Sequence, residues 1–283
     1  MKRVVITGAG SYIGTHLHER LGRRGEAFAV REMDVHGAWD AGAFLDCDCV
    51  AHVAGLAHRR EEAGDAALYD RVNRALAVEV AQAARERGVK QFVFFSSMSV
   101  YGLTCGRITA QTRPAPVTHY GRSKLEAEKA LAALEDSAFR VAVLRPPMIY
   151  GRGCRGNYPR LAALAASLPL FPRVQNERSM LYIETLCAFL EKLIESGEGG
   201  LFFPQNREYV STCALVAEIA RCRGRRVHMV PGLGGLLGAL AERGGTVGKV
   251  FGTLTYDQSM SQAFRPEEEP SFVQTIRLTE VGA

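Results

Sequence analysis

The sequence predicts an α/β fold, in which a doubly wound parallel sheet is followed by a smaller C-terminal region. Short β-branched runs such as Lys2–Thr7 alternate with segments whose apolar residues recur at helical spacing, and a glycine-rich turn follows the first run. Neighbouring parallel strands need a long crossover, which is usually a helix, so this alternation indicates a parallel sheet. Ligands of such sheets bind beyond the carboxyl ends of the strands.

The predicted elements follow one another along the first half of the chain. Lys2–Thr7 is an apolar run that ends in glycines, and Tyr12–Arg24 then carries Ile13, Leu17 and Leu21 at helical spacing. The later predicted elements are, in order, strand Cys49–Val53, helix Tyr69–Gly88, strand Gln91–Ser97, helix Tyr120–Leu134 and strand Arg140–Leu144. After Pro147 the pattern changes to prolines, basic residues and loops between helices, which favours a substrate-binding region packed against the sheet.

The composition is that of a globular protein. Its 283 residues are 47% hydrophobic and 23% charged, and the net charge of +5 comes from basic residues spread along the chain. This distribution argues against nucleic acid as a partner and suits small anionic ligands. The opening run is too short for a signal peptide and the apolar stretch Gly232–Leu240 is too short for a membrane span, so we expect no membrane partner.

The seven cysteines favour a reducing compartment. Their number is odd and no pair of C-x-x-C units occurs, so neither a disulfide framework nor a zinc site is predicted. Cys47, Cys49 and His52 lie close together, but their segment has the pattern of a buried strand. We therefore expect a cytoplasmic protein without a bound metal.

The first motif is TGAGSYIG, Thr7–Gly14, which lies between a predicted strand and a predicted helix. Glycines in such a turn let the backbone approach a pyrophosphate, and the helix N-terminus meets its negative charge. Gly8, Gly10 and Gly14 are therefore the expected cofactor-binding glycines.

The second motif is Tyr120-Gly-Arg-Ser-Lys124, whose spacing on a helix places both side chains on one face. A tyrosine can act as an acid/base group only if its pKa falls from about 10 towards 7, which corresponds to about 4 kcal/mol. A lysine ammonium about 4 Å away would supply roughly that at an effective dielectric constant near 20.

The third motif is the serine pair at the end of the predicted strand Gln91–Ser97, about twenty residues before Tyr120. A serine hydroxyl at this edge can hydrogen-bond the substrate oxygen whose proton the tyrosine takes.

Together these segments resemble the extended short-chain dehydrogenase/reductase family, in its NAD-dependent epimerase/dehydratase type. The similar segments cover nearly the whole chain and occur in the family's order: TGAGSYIG, HVAG at His52–Gly55, SSMSVYG at Ser96–Gly102, YGRSK, RPPMIYG at Arg145–Gly151, GNYPRL at Gly156–Leu161 and RSMLYIETL at Arg178–Leu186. Within the family the chain is similar to sugar-nucleotide 4-epimerases and 4-keto reductases. The resemblance implies a Rossmann-like fold and a bound NAD or NADP.

The resemblance also implies a role for each matching residue. Ser97, Tyr120 and Lys124 match the catalytic residues, and Ser97, Ser99, Asn157 and Arg178 match the substrate site. Phe171 is a further substrate candidate, because in this basic segment it offers, with Tyr158, Leu170 and Pro172, an apolar surface for a flat base. The expected cofactor-binding residues are Gly8, Gly10, Ser11, Tyr12, Ile13, Gly14, Glu32, Asp34, Val35, Val53, Ala54, Gly55, Asn73, Tyr120, Lys124 and Pro147. The dinucleotide-binding domain is then residues 1–150, rejoined by about 180–205, and residues 151–179 and 206–283 form the substrate-binding region.

Two features depart from the family's pattern. Ser11 stands where a glycine is usual, and fewer than about forty residues separate Gly14 from the HVAG segment, so one strand-helix unit is expected to be shortened or lost. This is the region that distinguishes NAD from NADP. Glu32 and Asp34 would suit a ribose hydroxyl and Arg31 would suit a 2'-phosphate, so the sequence leaves the cofactor open.

The leading functional hypothesis is hydride transfer at C4 of a UDP-sugar. A UDP-hexose 4-epimerase and a UDP-4-keto-sugar reductase both fit, whereas a 4,6-dehydratase does not, because Met98 and Ser99 occupy the positions of its acidic pair. A non-catalytic dinucleotide sensor or scaffold is the alternative from another class. A homodimer is expected through helices Tyr69–Gly88 and Tyr120–Leu134, as in the family.

Overall fold

Six parallel strands form the central sheet of the computed structural model, which describes residues 1–232, 234–242 and 245–282. The strands are β1 Lys2–Thr7, β2 Phe28–Met33, β3 Cys49–His52, β4 Gln91–Phe95, β5 Gly106–Ile108, β6 Arg140–Leu144, β7 Met148–Tyr150, β8 Leu170–Pro172, β9 Met180–Tyr182, β10 Gly200–Phe202, β11 His228–Val230 and β12 Leu254–Tyr256. The central sheet has the order β10-β6-β4-β3-β1-β2, and the other strands pair as β5 with β12, β7 with β9 and β8 with β11.

The helices lie on both faces of this sheet and beyond its carboxyl edge. They are α1 Tyr12–Gly22, α2 Ala66–Tyr69, α3 Leu76–Glu86, α4 His119–Ala132, α5 Asn157–Ser167, α6 Ile183–Ser196, α7 Thr212–Cys222, α8 Gly234–Glu242, α9 Gly245–Phe251 and α10 Phe272–Glu280. A π-helical turn at Asp70–Ala75 joins α2 to α3, and 3-10 turns occur at Ala41–Phe44, Ala63–Asp65, Met98–Tyr101 and Gln258–Ser261.

Side-chain alternation along β1 explains why both faces are covered. Val4 and Ile6 point into a core shared with α1 and α6, whereas Val5 points into a second core shared with α3 and α4. A strand buried on both faces must be apolar at almost every position, and β1, β3 and β4 are. The predicted doubly wound parallel sheet is therefore confirmed.

The sheet changes winding direction between β1 and β3. The chain adds β2 on one side of β1 and then places β3, β4, β6 and β10 on the other. Loops on either side of such a switch point diverge at the carboxyl edge and leave a crevice for a ligand. The glycine-rich turn after β1 lies at this point.

The predicted loss of one strand-helix unit is confirmed. Residues 34–48 join β2 to β3 and contain only the 3-10 turn Ala41–Phe44. Consequently β2 is the edge strand, in which Phe28 is buried, Arg31 is exposed and the other residues are half-buried. Its mixed sequence FAVREM lacks the apolar run that identified the other strands. This is why the sequence analysis did not assign β2.

Residues 183–202 return to the sheet, where α6 packs against α1 and β10 pairs with β6. Outside the sheet, α7 packs against α5 and α10. Among the described residues no helix has the length and apolarity that a membrane crossing requires, and no three metal-ligating side chains cluster. Of the stretch Gly232–Leu240, Leu233 lies outside the described residues.

Candidate active site

The turn after β1 has the geometry of a pyrophosphate-binding loop. Gly8 and Gly10 adopt φ values of +92° and +69°, a region that side chains other than glycine rarely enter. A Cβ at Gly8 would lie 2.9 Å from the backbone nitrogen of Ala54, whereas a Cβ at Gly10 would meet no atom within 4 Å. The loop thus packs tightly on the residues after β3 and keeps an open side, at the N-terminus of α1, that suits a pyrophosphate.

Ser11, the departure from the family's glycine, is the N-cap of α1. Its Oγ accepts the N–H of Gly14 at 3.2 Å, which satisfies one of the N–H groups that have no partner inside the helix. A Cβ at Gly14 would lie 2.6 Å from this Oγ, so the cap and the glycine depend on each other.

Glu32 is the acidic residue that reaches the glycine-rich turn. Its Oε2 accepts the N–H of Gly10 at 2.8 Å, and its Oε1 lies 3.1 Å from His18 Nδ1 on α1. Because neighbouring residues of a strand point to opposite faces, Arg31 leaves the sheet on the other side, near Cys47.

Asp34 and Val35, the other two cofactor candidates after β2, lie in different surroundings. Asp34 accepts the N–H of His36 at 2.8 Å and contacts its ring, and these hydrogen bonds lower the pKa of the Asp34 carboxyl. Val35 is 2% exposed in the core near α3, so its side chain packs against protein rather than an adenine.

The loop after β3 carries Val53, Ala54 and Gly55 to the switch point. Val53 donates its N–H to the Thr7 carbonyl at 3.1 Å, which aligns this loop with the end of β1. A Cβ at Gly55 would lie 3.2 Å from Lys124 Nζ and 3.1 Å from Asn73 Oδ1, so only glycine leaves room for both groups.

Asn73 is fully buried in the π-helical turn and holds this loop in place. Its Oδ1 accepts the N–H of Leu56 at 2.7 Å, and its Nδ2 donates to the Leu56 carbonyl and to Ser123 Oγ, each at 3.1 Å. Asn73, predicted to bind the cofactor, therefore positions the loop and α4.

Ser97 follows β4 and is the N-cap of the 3-10 turn Met98–Tyr101, where its Oγ accepts the N–H of Ser99 at 3.1 Å. Met98 donates its N–H to the Pro146 carbonyl at 3.0 Å, so the ends of β4 and β6 are joined beside the predicted contact Pro147. A Cβ at Gly121 of α4 would lie only 2.6 Å from the Ser99 carbonyl oxygen. This close approach places the serine turn directly on the first turn of α4.

Tyr120 lies in that first turn. Burial raises the pKa of its phenol, and a hydrogen-bonding interaction with Ser97 partly offsets the increase. The ring of Tyr69 contacts the Tyr120 ring edge-on, with centroids 6.3 Å apart. Ser97 and Tyr120, predicted as neighbours, are thus brought together.

Lys124 lies one turn after Tyr120 and is 4% exposed. Its Nζ is 4.7 Å from the centre of the Phe94 ring and faces Gly55. Burial lowers the pKa of Lys124 to about 8, although the negative charge of Glu128 acts in the opposite direction. The sequence analysis expected Lys124 to lower the pKa of Tyr120, but that pKa is raised in this structure because desolvation dominates.

A buried ion pair beneath the site was missed by the sequence analysis. Arg145 donates to both carboxylate oxygens of Glu128, at 3.0 and 2.5 Å, and to the Tyr101 hydroxyl at 2.9 Å, while Ser96 Oγ also donates to Glu128. Glu128 is four residues after Lys124 on α4, and Arg145 opens the RPPMIYG segment. Both residues lie in segments that the sequence singles out, but only the folded structure shows that they form an ion pair.

The predicted substrate residues are divided between the cleft and the core. Asn157 is exposed at the start of α5, and the preceding Gly156 lies against His58 of the loop after β3, since a Cβ there would be 2.7 Å from His58 Nδ1. Arg178 is half-buried and its Nη1 donates to the Gly252 carbonyl at 2.7 Å, at the C-terminus of α9. The other guanidinium nitrogens make no hydrogen bond within the described part of the chain.

Phe171 was expected to contact the substrate, and its placement corrects that interpretation. It is 2% exposed, and its ring packs against Phe251 with centroids 5.7 Å apart. Tyr158, expected to offer surface to a base, is also buried and donates its hydroxyl to Glu280 at 2.8 Å. Both aromatic side chains belong to the core that also contains residues of β1, α1 and α6.

Comparisons with known proteins agree with this geometry. A family model described as the NAD dependent epimerase/dehydratase family matches residues 4–202. A UDP-glucose 4-epimerase of Vibrio cholerae is 31% identical over 288 residues, which cover 91% of this chain and 88% of that protein. An N-acetyl-alpha-D-glucosaminyl-diphospho-ditrans,octacis-undecaprenol 4-epimerase of Escherichia coli O157:H7 is 26% identical over 79% of this chain and 73% of its own length. The crystal structure of a UDP-glucuronic acid 4-epimerase from Bacillus cereus with NAD superimposes with a TM-score of 0.78 at 17% identity, covering 99% of this chain and 98% of that one.

Proposed function

Because the chain belongs to the NAD-dependent epimerase/dehydratase family, we propose that it is a UDP-hexose or UDP-N-acetylhexosamine 4-epimerase. Membership makes it an NAD(P)-dependent enzyme of the extended short-chain dehydrogenase/reductase type. The observation that carries the finer proposal is the juxtaposition of Ser97 with Tyr120 at the carboxyl edge of the sheet, beside the glycine-rich turn. A sensor or scaffold would not need a proton-transfer pair at this edge.

The residues of the crevice fit a dinucleotide. Gly8, Gly10 and the N-terminus of α1 would hold the pyrophosphate, and Lys124, facing Gly55, would hold the nicotinamide ribose. When bound, the nicotinamide supplies a reversible hydride acceptor for a sugar carbon. The chain itself must bind the sugar, orient it and move a proton.

We assign the proton transfer to Tyr120. As a phenolate it would accept the proton of the C4 hydroxyl, and Ser97 would hold the same oxygen. Desolvation raises the pKa of Tyr120, so the base form needs a cation nearby, and Lys124 is the cation that α4 provides. With a pKa near 8, Lys124 is mostly protonated at neutral pH.

NAD rather than NADP is the cofactor that Glu32 favours. Its carboxylate already accepts the Gly10 N–H, so it lies where an adenosine ribose would reach the turn. A ribose hydroxyl can donate to this carboxylate, whereas a 2'-phosphate would be repelled. Arg31 cannot compensate, because it leaves the other face of β2.

The sugar-nucleotide diphosphate would bind at the entrance formed by α5 and α9. Asn157 is exposed at the start of α5, and Arg178 has donors that are not used by the Gly252 carbonyl. Arginine recognises diphosphates through charge-assisted hydrogen bonds. The UDP preference itself rests on the relatives and not on a base contact.

The test is turnover of UDP-glucose and UDP-N-acetylglucosamine by the purified protein with NAD, followed by NMR of the sugar ring. The proposal expects the C4 epimer without net cofactor consumption, and retention at C4 of a deuterium label that the substrate carries there. Stoichiometric oxidation of NADH by a 4-keto sugar would instead assign a reductase, and cofactor binding without any turnover would assign a sensor. Tyr120→Phe should remove turnover and leave NAD binding within about two-fold, because only the transferable proton is lost.

A second candidate keeps the C4 chemistry and changes the carrier of the sugar to a polyprenyl diphosphate, the kind of carrier named for the E. coli relative. Its support is an apolar stripe: Leu164 on α5, Leu168 immediately after that helix and Leu170 on β8 are 37%, 38% and 56% exposed. Arg160, also exposed, lies one turn before Leu164 on the same helix. Faster turnover of a detergent-dispersed polyprenyl-diphosphate sugar than of the UDP-sugar would favour this candidate.

We also propose that the enzyme is a homodimer in which α3 and α4 of two copies pack together. Leu76 and Val78 on α3 and Leu125 on α4 are half-buried in the single chain, so they are available to a partner. Sedimentation velocity should give twice the mass of 30.9 kDa.

A further inference from the structure

We propose that Glu61 is a positioning residue that fixes Tyr120 at the start of α4. Glu61 lies in the loop after β3, residues 53–62, and its carboxylate accepts two consecutive backbone N–H groups. Oε2 accepts from His119 at 2.8 Å and Oε1 accepts from Tyr120 at 3.1 Å. The inference rests on the proposed function only through the role of Tyr120 as the acid/base group.

The first N–H groups of a helix have no partners within the helix, so side chains must satisfy them. In α4 two side chains satisfy these groups. Thr118 Oγ1 accepts the N–H of Gly121 at 3.0 Å, and the Glu61 carboxylate accepts the N–H groups of His119 and Tyr120. A carboxylate is favoured at a helix N-terminus, and charge-assisted hydrogen bonds are about twice as strong as neutral ones. Glu61 therefore holds the backbone from which the Tyr120 phenol projects.

Among the residues that the structure describes, no cationic side chain pairs with the Glu61 carboxylate. Its neighbour Arg59 pairs with Asp65 instead, at 3.1 Å, and Glu61 itself makes no ion pair in those parts of the chain. Glu61 is half-buried. Both oxygens are thus directed at the helix end.

The loop that carries Glu61 is anchored at two further points. Asn73 holds Leu56 by two hydrogen bonds and also binds Ser123 of α4. His58 lies against Gly156, immediately before the exposed Asn157. The loop therefore connects the cofactor side of the crevice, the substrate side and the catalytic helix, and Glu61 forms the connection at Tyr120.

The first test is Glu61→Gln, which keeps the size of the side chain but replaces one acceptor oxygen with an N–H donor. We expect kcat to fall roughly 10- to 100-fold, because displacements of about 1 Å at a reacting group have effects of this size. KM and the Kd for NAD should stay within about two-fold, since Glu61 is not among the residues assigned to either ligand. The primary deuterium isotope effect at C4 should increase as the chemical step becomes limiting.

The matched control is Glu62→Gln, which makes the same charge change one residue later. Glu62 is the N-cap of the 3-10 turn Ala63–Asp65, and within the described residues its side chain makes no hydrogen bond to α4. It should keep wild-type kcat, and Glu61→Asp, which retains a carboxylate, should lose less than Glu61→Gln. Equal kcat for Glu61→Gln and wild type, or equal losses for Glu61→Gln and Glu62→Gln, would overturn the proposal.

A readout that needs no turnover separates this proposal from the proposed function. Hydrogen exchange of the peptide covering residues 118–124 should be faster in Glu61→Gln than in wild type and Glu62→Gln, because one of the N–H groups of His119 and Tyr120 loses its acceptor. Unchanged exchange would reject the role of Glu61. An inactive wild type with this exchange pattern would reject the epimerase and retain the positioning residue.

Discussion

At the scale of single residues, the proposed preference for NAD rests on Glu32 of the edge strand β2. It shares β2 with Arg31, and the sequence alone left Glu32 as a candidate for the ribose hydroxyl and Arg31 as a candidate for a 2'-phosphate. Alternation along the strand separates them: Glu32 contacts Gly10 and His18, whereas Arg31 is exposed on the opposite face of the sheet, near Cys47. We therefore propose that only the acidic side chain contacts a dinucleotide at the turn.

Glu32→Gln should therefore weaken NAD binding roughly 10- to 100-fold, the range expected for loss of a charge-assisted hydrogen bond. The affinity for NADP should fall less or rise, because the repulsion of a 2'-phosphate is removed. Calorimetric titration with both cofactors measures the ratio of the two Kd values. Arg31→Gln is the control and should leave that ratio within two-fold, and wild-type protein that bound NADP as tightly as NAD would contradict the assignment.

Lys124 makes a second residue-scale prediction, on stability against pH. Burial lowers its pKa from 10.5 to about 8, so below pH 8 the folded state contains a buried charge that the unfolded state leaves in water. As pH rises from about 8 to 10.5 the folded protein loses this proton first, and its relative stability increases by about 3 kcal/mol. Lys124→Met should accordingly be more stable than wild type at pH 7 and lose that advantage above pH 10.

Urea unfolding at pH 7 and pH 10 measures this difference. Lys129→Met is a suitable control, because Lys129 is on the same helix with its side chain 63% exposed. Its effect on the free energy of unfolding should not change between the two pH values. A pH-independent difference for Lys124→Met would show that Lys124 keeps an ordinary pKa in the fold.

At the scale of elements, the contact between α4 and the serine turn aligns the proton-transfer pair. Gly121 permits it, since the Ser99 carbonyl oxygen lies where a Cβ would be only 2.6 Å away. Gly121→Ala should force the helix and the turn apart and lower kcat roughly 10- to 100-fold. Steady-state kinetics and thermal unfolding measure both consequences.

Gly22→Ala, in the last turn of α1, is the matched control for Gly121→Ala. A Cβ at Gly22 would have only His18 Cδ2 near it, at 4.0 Å. Because alanine is a better helix former, we expect a gain of up to about 1 kcal/mol in the free energy of unfolding and unchanged kcat. If both variants lost the same activity, the close contact at Gly121 would not be the cause.

The elements also show what could be predicted from the sequence. β1 and β6 were predicted with their observed bounds, because strands buried on both faces are continuous apolar runs. The missing strand-helix unit followed from the short spacing between Gly14 and the HVAG segment, compared with the pattern of the family that the chain resembles. By contrast β2, an edge strand with polar residues on its exposed positions, had no such run.

The site was predictable where its residues are near one another in sequence. Ser97 and Tyr120 could be placed from strand and helix ends, but Glu61 lies 59 positions from Tyr120 and its neighbours give no local signal. Phe171 was misassigned because an aromatic residue in a basic segment can belong to a core or to a cleft, and only packing against Phe251 decides. Contacts between distant segments were thus the unpredictable part.

At the scale of the whole molecule, the centre of the sheet contains a polar residue with consequences for acid stability. His52 is fully buried at the end of β3, its Nδ1 lies 2.8 Å from Thr7 Oγ1, and its ring stacks on Phe92 and Phe94. Burial, and secondarily the charge of Lys124, lowers the pKa of His52 to about 3. The ring is therefore neutral in the folded protein at every pH at which the protein is expected to work.

This histidine should make the whole fold sensitive to acid. Below pH 6.5 the unfolded chain binds a proton at His52 that the folded chain excludes, so stability falls as pH decreases from 6.5 to about 3, by up to roughly 5 kcal/mol. His52→Leu removes the titrating group and leaves the carboxylates unchanged, so the difference in unfolding free energy between variant and wild type isolates this contribution. We expect the variant to be less stable than wild type at pH 7, because it lacks the hydrogen bond to Thr7. Its free energy of unfolding relative to wild type should then increase steadily as the pH falls towards 4. Parallel stability curves for the two proteins between pH 7 and pH 4 would mean that His52 is protonated in the fold, and that its buried Nε2 has an acceptor beyond the contacts seen in the described residues.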